Sequence, residues 1–116
     1  MTSKRKRWER AYHSQERVDW IQAMPCIACG AGPCENHHTR GGGVGRKADW
    51  ETVVPLCAGC HRECHQVGTL TFQFTRGVDF AKESAFVARL WNRRHTEDGQ
   101  ADHAHIIQTG AYDLAF

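Results

Sequence analysis

A chain of 116 residues with a formal net charge of +2 has room for one domain and a small core. The near balance of charge excludes a uniformly basic nucleic-acid coat, and no apolar stretch is long enough to cross a bilayer. Six cysteines and eight histidines are many for this length, so a bound metal is expected to supplement the core.

The start, MTSKRKRWERAYHSQ, is basic with no apolar run behind it and does not read as a signal peptide. The expected compartment is the cytoplasm, where thiols hold zinc rather than pairing as disulfides. Residues 1–13 read as a flexible basic arm, with Lys4, Arg5, Lys6 and Arg7 available to nucleic acid. Ser14 caps a helix to about Met24, with Val18, Ile21 and Met24 or Trp20 on its apolar side, and Pro25 ends it. CIACG, residues 26–30, is a tight knuckle with glycine after the second thiol. ENHHTR, residues 35–40, is a first strand, and GGGVGRKAD, residues 41–49, is an irregular, mobile loop. TVVPL, residues 52–56, is β-branched and apolar and reads as a second strand. A helix follows from Ala58 to about Val67, closed by Gly68. TLTFQFT, residues 69–75, is too short to separate strand from helix. Asp79 caps a helix to about Arg94 that buries Phe80, Phe86, Val87, Leu90 and Trp91. Residues 96–116 are weakly patterned and read as a loosely ordered tail, which leaves 14–95 as the folded domain.

Cys26, Cys29, Cys57 and Cys60 form two C-x2-C pairs. Each pair can bring two thiolates to about 4 Å, as a tetrahedral zinc site with Zn–S bonds near 2.3 Å requires. A redox-active pair is the alternative. Cys34 and Cys64 are left over; either can replace a knuckle cysteine, and the plainer reading is a bystander. His61 and His65 are four apart and share one face of the expected helix, whereas Cys60 points about 100° away from His61. One helix can therefore offer thiolates to one ion and two imidazoles to another. His37 and His38 are neighbours on a strand and point to opposite faces. One of them can bind a metal while the other serves as a base. The plainer reading of these histidines is a solvated surface.

Between Pro25 and Gly68 the segments PCIACG, NHHTRGGG and VVPLCAGCHRECH resemble the HNH endonucleases, and among them small phage and prophage proteins. The resemblance implies an α+β fold: a small ββα-metal (His-Me finger) core with structural zinc knuckles, flanked by N- and C-terminal helices. It implies His38 as general base, His37 and His61 as ligands of a catalytic divalent ion, and His65 as an extra ligand. The ion would be Mg²⁺, Mn²⁺, Ni²⁺ or Zn²⁺. Thr52 stands where the family usually has an asparagine that braces the hairpin loop, with Asp49 as a substitute. Arg40, two residues past His38, would reach a flanking phosphate, and Arg46 and Lys47 would grip the backbone. The implied activity is hydrolysis of DNA phosphodiesters, with DNA as partner and neither a membrane nor a small organic cofactor involved. One such site cuts one strand, so double-strand cleavage takes a homodimer or two visits. The competing reading is a non-catalytic zinc-knuckle module that binds nucleic acid. That module needs the four cysteines and the basic arm but not the four histidines.

Overall fold

The structure, a computed structural model, describes residues 3–40 and 48–112. Arg46, Lys47 and most of the glycine-rich loop lie outside the described residues. Six α-helices, two strands and one 3-10 turn are described, so the protein is α+β. No described helix is long and apolar enough to cross a membrane.

The first element corrects the sequence reading. Residues expected as a flexible arm form helix α1, Lys4–Tyr12. Ser3 caps it by accepting from the Lys6 amide at 3.1 Å, and Arg5 pairs with Glu9 one turn later. Its charges hide a short aromatic row: Trp8 and Tyr12 lie one turn apart, with ring centroids 5.7 Å apart. Helix α2, Gln15–Gln22, is capped by Ser14 as expected. It buries Ile21 as expected, and with it the basic side chain of Arg17. The Arg17 guanidinium lies over Trp50 at 4.8 Å and near Trp91 at 5.9 Å.

Strands β1, Cys34–His38, and β2, Val53–Cys57, form an antiparallel two-stranded sheet. The register pairs Cys34 with Cys57 and His38 with Val53. The 3-10 turn Trp50–Thr52 leads into β2. Thr39 closes the base of the hairpin, donating to the Thr52 carbonyl from both its amide and its hydroxyl. The Thr52 hydroxyl donates in turn to the Asp49 carbonyl. Val53, Val54, Pro55 and Leu56 are all buried, so β2 is the central stave of the core.

Helix α3, Ala58–Val67, starts directly from β2 and stops at Gly68. TLTFQFT resolves as a helix, α4 (Thr69–Arg76), ended by left-handed Gly77. Helix α5, Phe80–Asn92, takes its cap from Asp79 and buries the five apolar residues expected of it. The expected loose tail is also corrected: residues 97–109 form helix α6, Glu97–Thr109, capped by Thr96 and docked through buried Ile106 and Gly99. Apolar residues are sparse in α6, but its glycine allows a close approach. A Cβ at Gly99 would stand 1.9 Å from the Arg93 carbonyl oxygen.

Gly99→Ala is therefore expected to destabilise the protein by about 1–3 kcal/mol through overpacking against backbone. Gly59→Ala in α3, where an added Cβ meets nothing within 4 Å, should be neutral or gain up to about 1 kcal/mol of helix propensity. Thermal melts of the two variants check this pair, and equal effects would contradict it.

Candidate functional site

The sulfur cluster is built by three local rules. In the knuckle, the Gly30 amide returns to the Cys26 carbonyl at 2.8 Å, a turn that Gly30 completes with φ +79°. The knuckle is tied to the sheet through the Ile27 amide, which donates to the Pro55 carbonyl at 3.1 Å. Cys57 ends β2 and caps α3, its sulfur accepting from the Cys60 amide. The exposed amides and dipole at the α3 N-terminus favour negative sulfur there.

The ligand sulfurs of Cys26, Cys29, Cys57 and Cys60 all lie within 4.8 Å of one another. Cys29 and Cys57 are 3.6 Å apart. Sulfurs bonded to one tetrahedral zinc are separated by about 3.8 Å, so the donor set is of the kind and closeness that ion takes. Cys34 sits beside the cluster. Its thiol donates to the Ala31 carbonyl at 3.5 Å, and its proximity to the Cys26 sulfur holds the Cys26 thiol down to about 4, while that proximity and burial push Cys34 up. Cys34 is thus a protonated neighbour that supports a ligand. Burial also pushes the Cys64 thiol up.

A second cluster stands on the other side of the hairpin–helix junction. The ligand nitrogens of His37, His61 and His65 lie within 4.8 Å of one another. The His61 and His65 Nε2 atoms approach to 3.1 Å, a separation suited to a shared proton or a shared cation. His37 is buried beneath them, against Phe80 and near the Cys64 sulfur. Burial first, and then repulsion from His61, His65 and His38, holds the His37 imidazole down to about 4. It is therefore neutral at physiological pH, with a lone pair available to a metal.

Glu35 completes this cluster from outside, and sequence reasoning missed it. Its Oε1 accepts from His61 Nδ1 at 2.8 Å, which leaves the His61 Nε2 lone pair facing the other two rings. Carboxylates commonly orient metal-binding histidines in this way. The signal was present, since Glu35 lies two residues before His37 and so on the same face of the strand.

His38 lies across the strand. Its Nε2 is 2.7 Å from the Ala11 carbonyl at the end of α1, and its ring meets the Tyr12 edge at 4.9 Å between centroids. A carbonyl only accepts, so Nε2 carries the proton and neutral His38 keeps its Nδ1 lone pair. His38 belongs to no metal-ligand cluster among the described residues. Arg40 is exposed just beyond β1, where it lines a depression of about 470 Å³ with Asp49, Glu51, Thr52 and Arg89. On α1, Lys4, Arg5, Lys6 and Arg7 are all exposed.

The class defined by this arrangement is an α+β protein whose knuckle, hairpin and following helix bring four thiols together on one side and three imidazoles on another. The chain belongs to the family described as "Protein of unknown function (DUF968)", whose profile matches residues 1–88 and so covers both clusters and α1. It is 33% identical over 89 residues to the "Uncharacterized protein YdfU" of Escherichia coli (strain K12), an alignment that covers 74% of this chain. The chain spans only 24% of that relative's length. No solved structure matches.

Two measurements probe the clusters. Elemental analysis should find zinc that resists brief chelation, and Cys57→Ser should lose both the zinc and cooperative unfolding, since structural zinc contributes on the order of 10 kcal/mol. Cys64→Ser should keep the zinc; zinc retained in full by Cys57→Ser would remove that residue from the ligand set. The second concerns pH. Because folding lowers the His37 pKa from 6.5 to about 4, the unfolded chain takes up this proton first as pH falls. The metal-free protein should thus lose the His37 contribution as pH falls from about 6.5 toward 4 and regain it above that window. Urea midpoints of parent and His37→Gln should converge across this range, and a constant difference would mean that folding leaves the His37 pKa unshifted.

Proposed function

We propose that this chain is a divalent-metal-dependent HNH endonuclease acting on DNA. The observation that carries the reading is the convergence of His37, His61 and His65 beside the sulfur cluster, with His38 held one residue away as a free-Nδ1 imidazole. The order β1, β2, α3 agrees with the strand–strand–helix core of that family. In this reading the four-cysteine cluster holds structural zinc and fixes the hairpin against α3.

His37, His61 and His65 would hold the catalytic ion, which when bound supplies positive charge to a phosphate oxygen and to the departing 3′ oxygen. His38 Nδ1 takes a proton from a water molecule as the water oxygen attacks phosphorus. The bond from phosphorus to the 3′ oxygen breaks, and that oxygen takes a proton from solvent. The products are a 5′-phosphate and a 3′-hydroxyl. Ala11, through its carbonyl, orients His38, and Glu35 orients His61. Thr52 and Asp49 brace the base of the hairpin, the role expected of the family's asparagine. Arg40, Lys4, Arg5, Lys6 and Arg7 face solvent where a phosphate backbone can reach them, which gives affinity without sequence choice.

Nicking of supercoiled plasmid with Mg²⁺, Mn²⁺, Ni²⁺ or Zn²⁺, and its loss in chelator, tests the activity. His38→Ala should cut at least about 100-fold more slowly while keeping its melting temperature and its DNA affinity. A plasmid left intact with every ion, together with tight binding of oligonucleotides, would instead identify a zinc-knuckle binding module.

A further inference from the structure

The helix that was expected to be a loose arm walls an open groove. This groove lies between α1, α2 and the outer edge of β1, has a volume of about 550 Å³, and is lined by Trp8, Tyr12, Gln15, Gln22, Glu35 and Asn36 among others. Its size falls within the range of small-ligand sites. Trp8 is 39% exposed, although α1 buries no residue fully and has no core to fill. Tyr12 continues the aromatic wall and touches the His38 ring. At the opposite lip, the Glu35 carboxylate is engaged by His61. The groove therefore borders a direct neighbour of each proposed catalytic element.

Charge selects the occupant. The α1 surface carries Lys4, Arg5, Lys6, Arg7 and Arg10 against a single acid, Glu9, which Arg5 already pairs. Among the described residues the groove's one charged lining residue is Glu35 and the cations stand elsewhere on α1, so a nucleotide bound here sets its base against the ring inside the groove and its phosphates against the cations outside it. Side-chain amides at the rim suit the polar edges of a base. A paired base presents its edges in a groove and keeps its faces stacked on its neighbours, so only an unpaired base can lie against Trp8.

We propose that this groove binds an unpaired nucleotide of single-stranded DNA, with Trp8 as the stacking platform. The consequence for activity rests on the nuclease reading: the enzyme would prefer single-stranded or frayed DNA to intact duplex. Base-on-aromatic stacking accounts for the preference and α1 for the attraction.

The test uses the full chain carrying His38→Ala, so that substrate survives, and fluorescence anisotropy with a labelled 12-mer of thymidine, the same 12-mer with abasic sites, and a 12-base-pair duplex. Stacking is worth about 1–3 kcal/mol per base, so the abasic strand should bind about tenfold more weakly than the thymidine strand at equal charge. Trp8→Leu should abolish that difference while leaving duplex affinity within about twofold, and Trp8→Phe should largely retain it. Equal affinity for abasic and normal strands overturns the proposal without any groove variant needing to fold. So does a Trp8→Leu protein that binds the thymidine strand as tightly as its parent. The two readings fail separately. Trp8-dependent binding with no cleavage by the His38 protein ends the nuclease reading alone. Cleavage of single strands that Trp8→Leu leaves unchanged ends the groove alone.

Discussion

Three chain segments meet at four sulfur atoms, and the positions of both histidine-bearing elements follow from that meeting. Cys26 and Cys29 belong to a knuckle with no regular structure of its own, Cys57 ends a strand, and Cys60 lies in the first turn of a helix. Four sulfurs this close gain little from their own contacts and repel once deprotonated. A bound cation reverses the sign of that interaction. The backbone has prepared for it. The knuckle amide of Ala28 and the helix amide of Cys60 both point at ligand sulfurs, at 3.4 and 3.5 Å. Such amides lower the energy of thiolate before any metal arrives. The fold thus spends helix-terminus hydrogen bonds, which every helix has to place somewhere, on making a ligand set.

From that anchor α3 projects two chemistries by angular arithmetic. Successive residues are about 100° apart, so Cys60 and His61 cannot face the same way, whereas His61 and His65 must. The strand contributes the complementary rule. Its period of two sends Glu35 and His37 toward α3 and Asn36 and His38 toward α1 and α2. The contacts follow this alternation: Glu35 bonds His61 and His37 meets His61 and His65, while Asn36 bonds the Val18 carbonyl and His38 the Ala11 carbonyl. A one-residue slip in the β1–β2 register would exchange the two histidines, and the sulfur anchor opposes such a slip by fixing Cys57.

This geometry explains what was legible in the sequence. The two C-x2-C pairs, the His-x3-His step and the adjacent His37-His38 are short-range patterns whose spatial outcome depends only on helix and strand periods, and they led to both clusters. The α2, β2, α3 and α5 segments carried caps or apolar runs, β1 was bounded by the glycine-rich loop after it, and all were found within a few residues. Helices α1 and α6 were not. Their caps, Ser3 and Thr96, are ordinary polar residues, and their docking uses scattered contacts rather than an apolar stripe. Tyr12 against His38 and Gly99 against Arg93 are long-range or close-approach facts with no local periodic signature. The same holds for Glu35, whose role depends on which face of β1 meets α3.

Arg17 shows most clearly how tertiary context overrides a charge pattern. In the sequence it extends the basic N-terminal zone, but it is wholly buried, and its guanidinium nitrogens find no hydrogen-bond partner among the described residues. Burial pulls its pKa down to about 10, while Glu51 and Asp49 pull the other way, so the group stays charged at neutral pH. A buried cation without hydrogen bonds is costly unless something else receives its charge. Here the faces of Trp50 and Trp91 and the carboxylates of the 3-10 turn do so. The arrangement has a structural consequence. Trp50 and the carboxylates stand at the entrance to β2, Trp91 stands on α5, and Arg17 stands on α2, so one cation holds the foot of the hairpin between two helices. The hairpin thus lies between electrostatics of opposite sign: a set of thiols at Cys57 that a cation would draw together, and a cation drawn to aromatic faces and carboxylates at Trp50. Between those two points, β1 can hold His37 and His38 on opposite faces with little freedom to tilt.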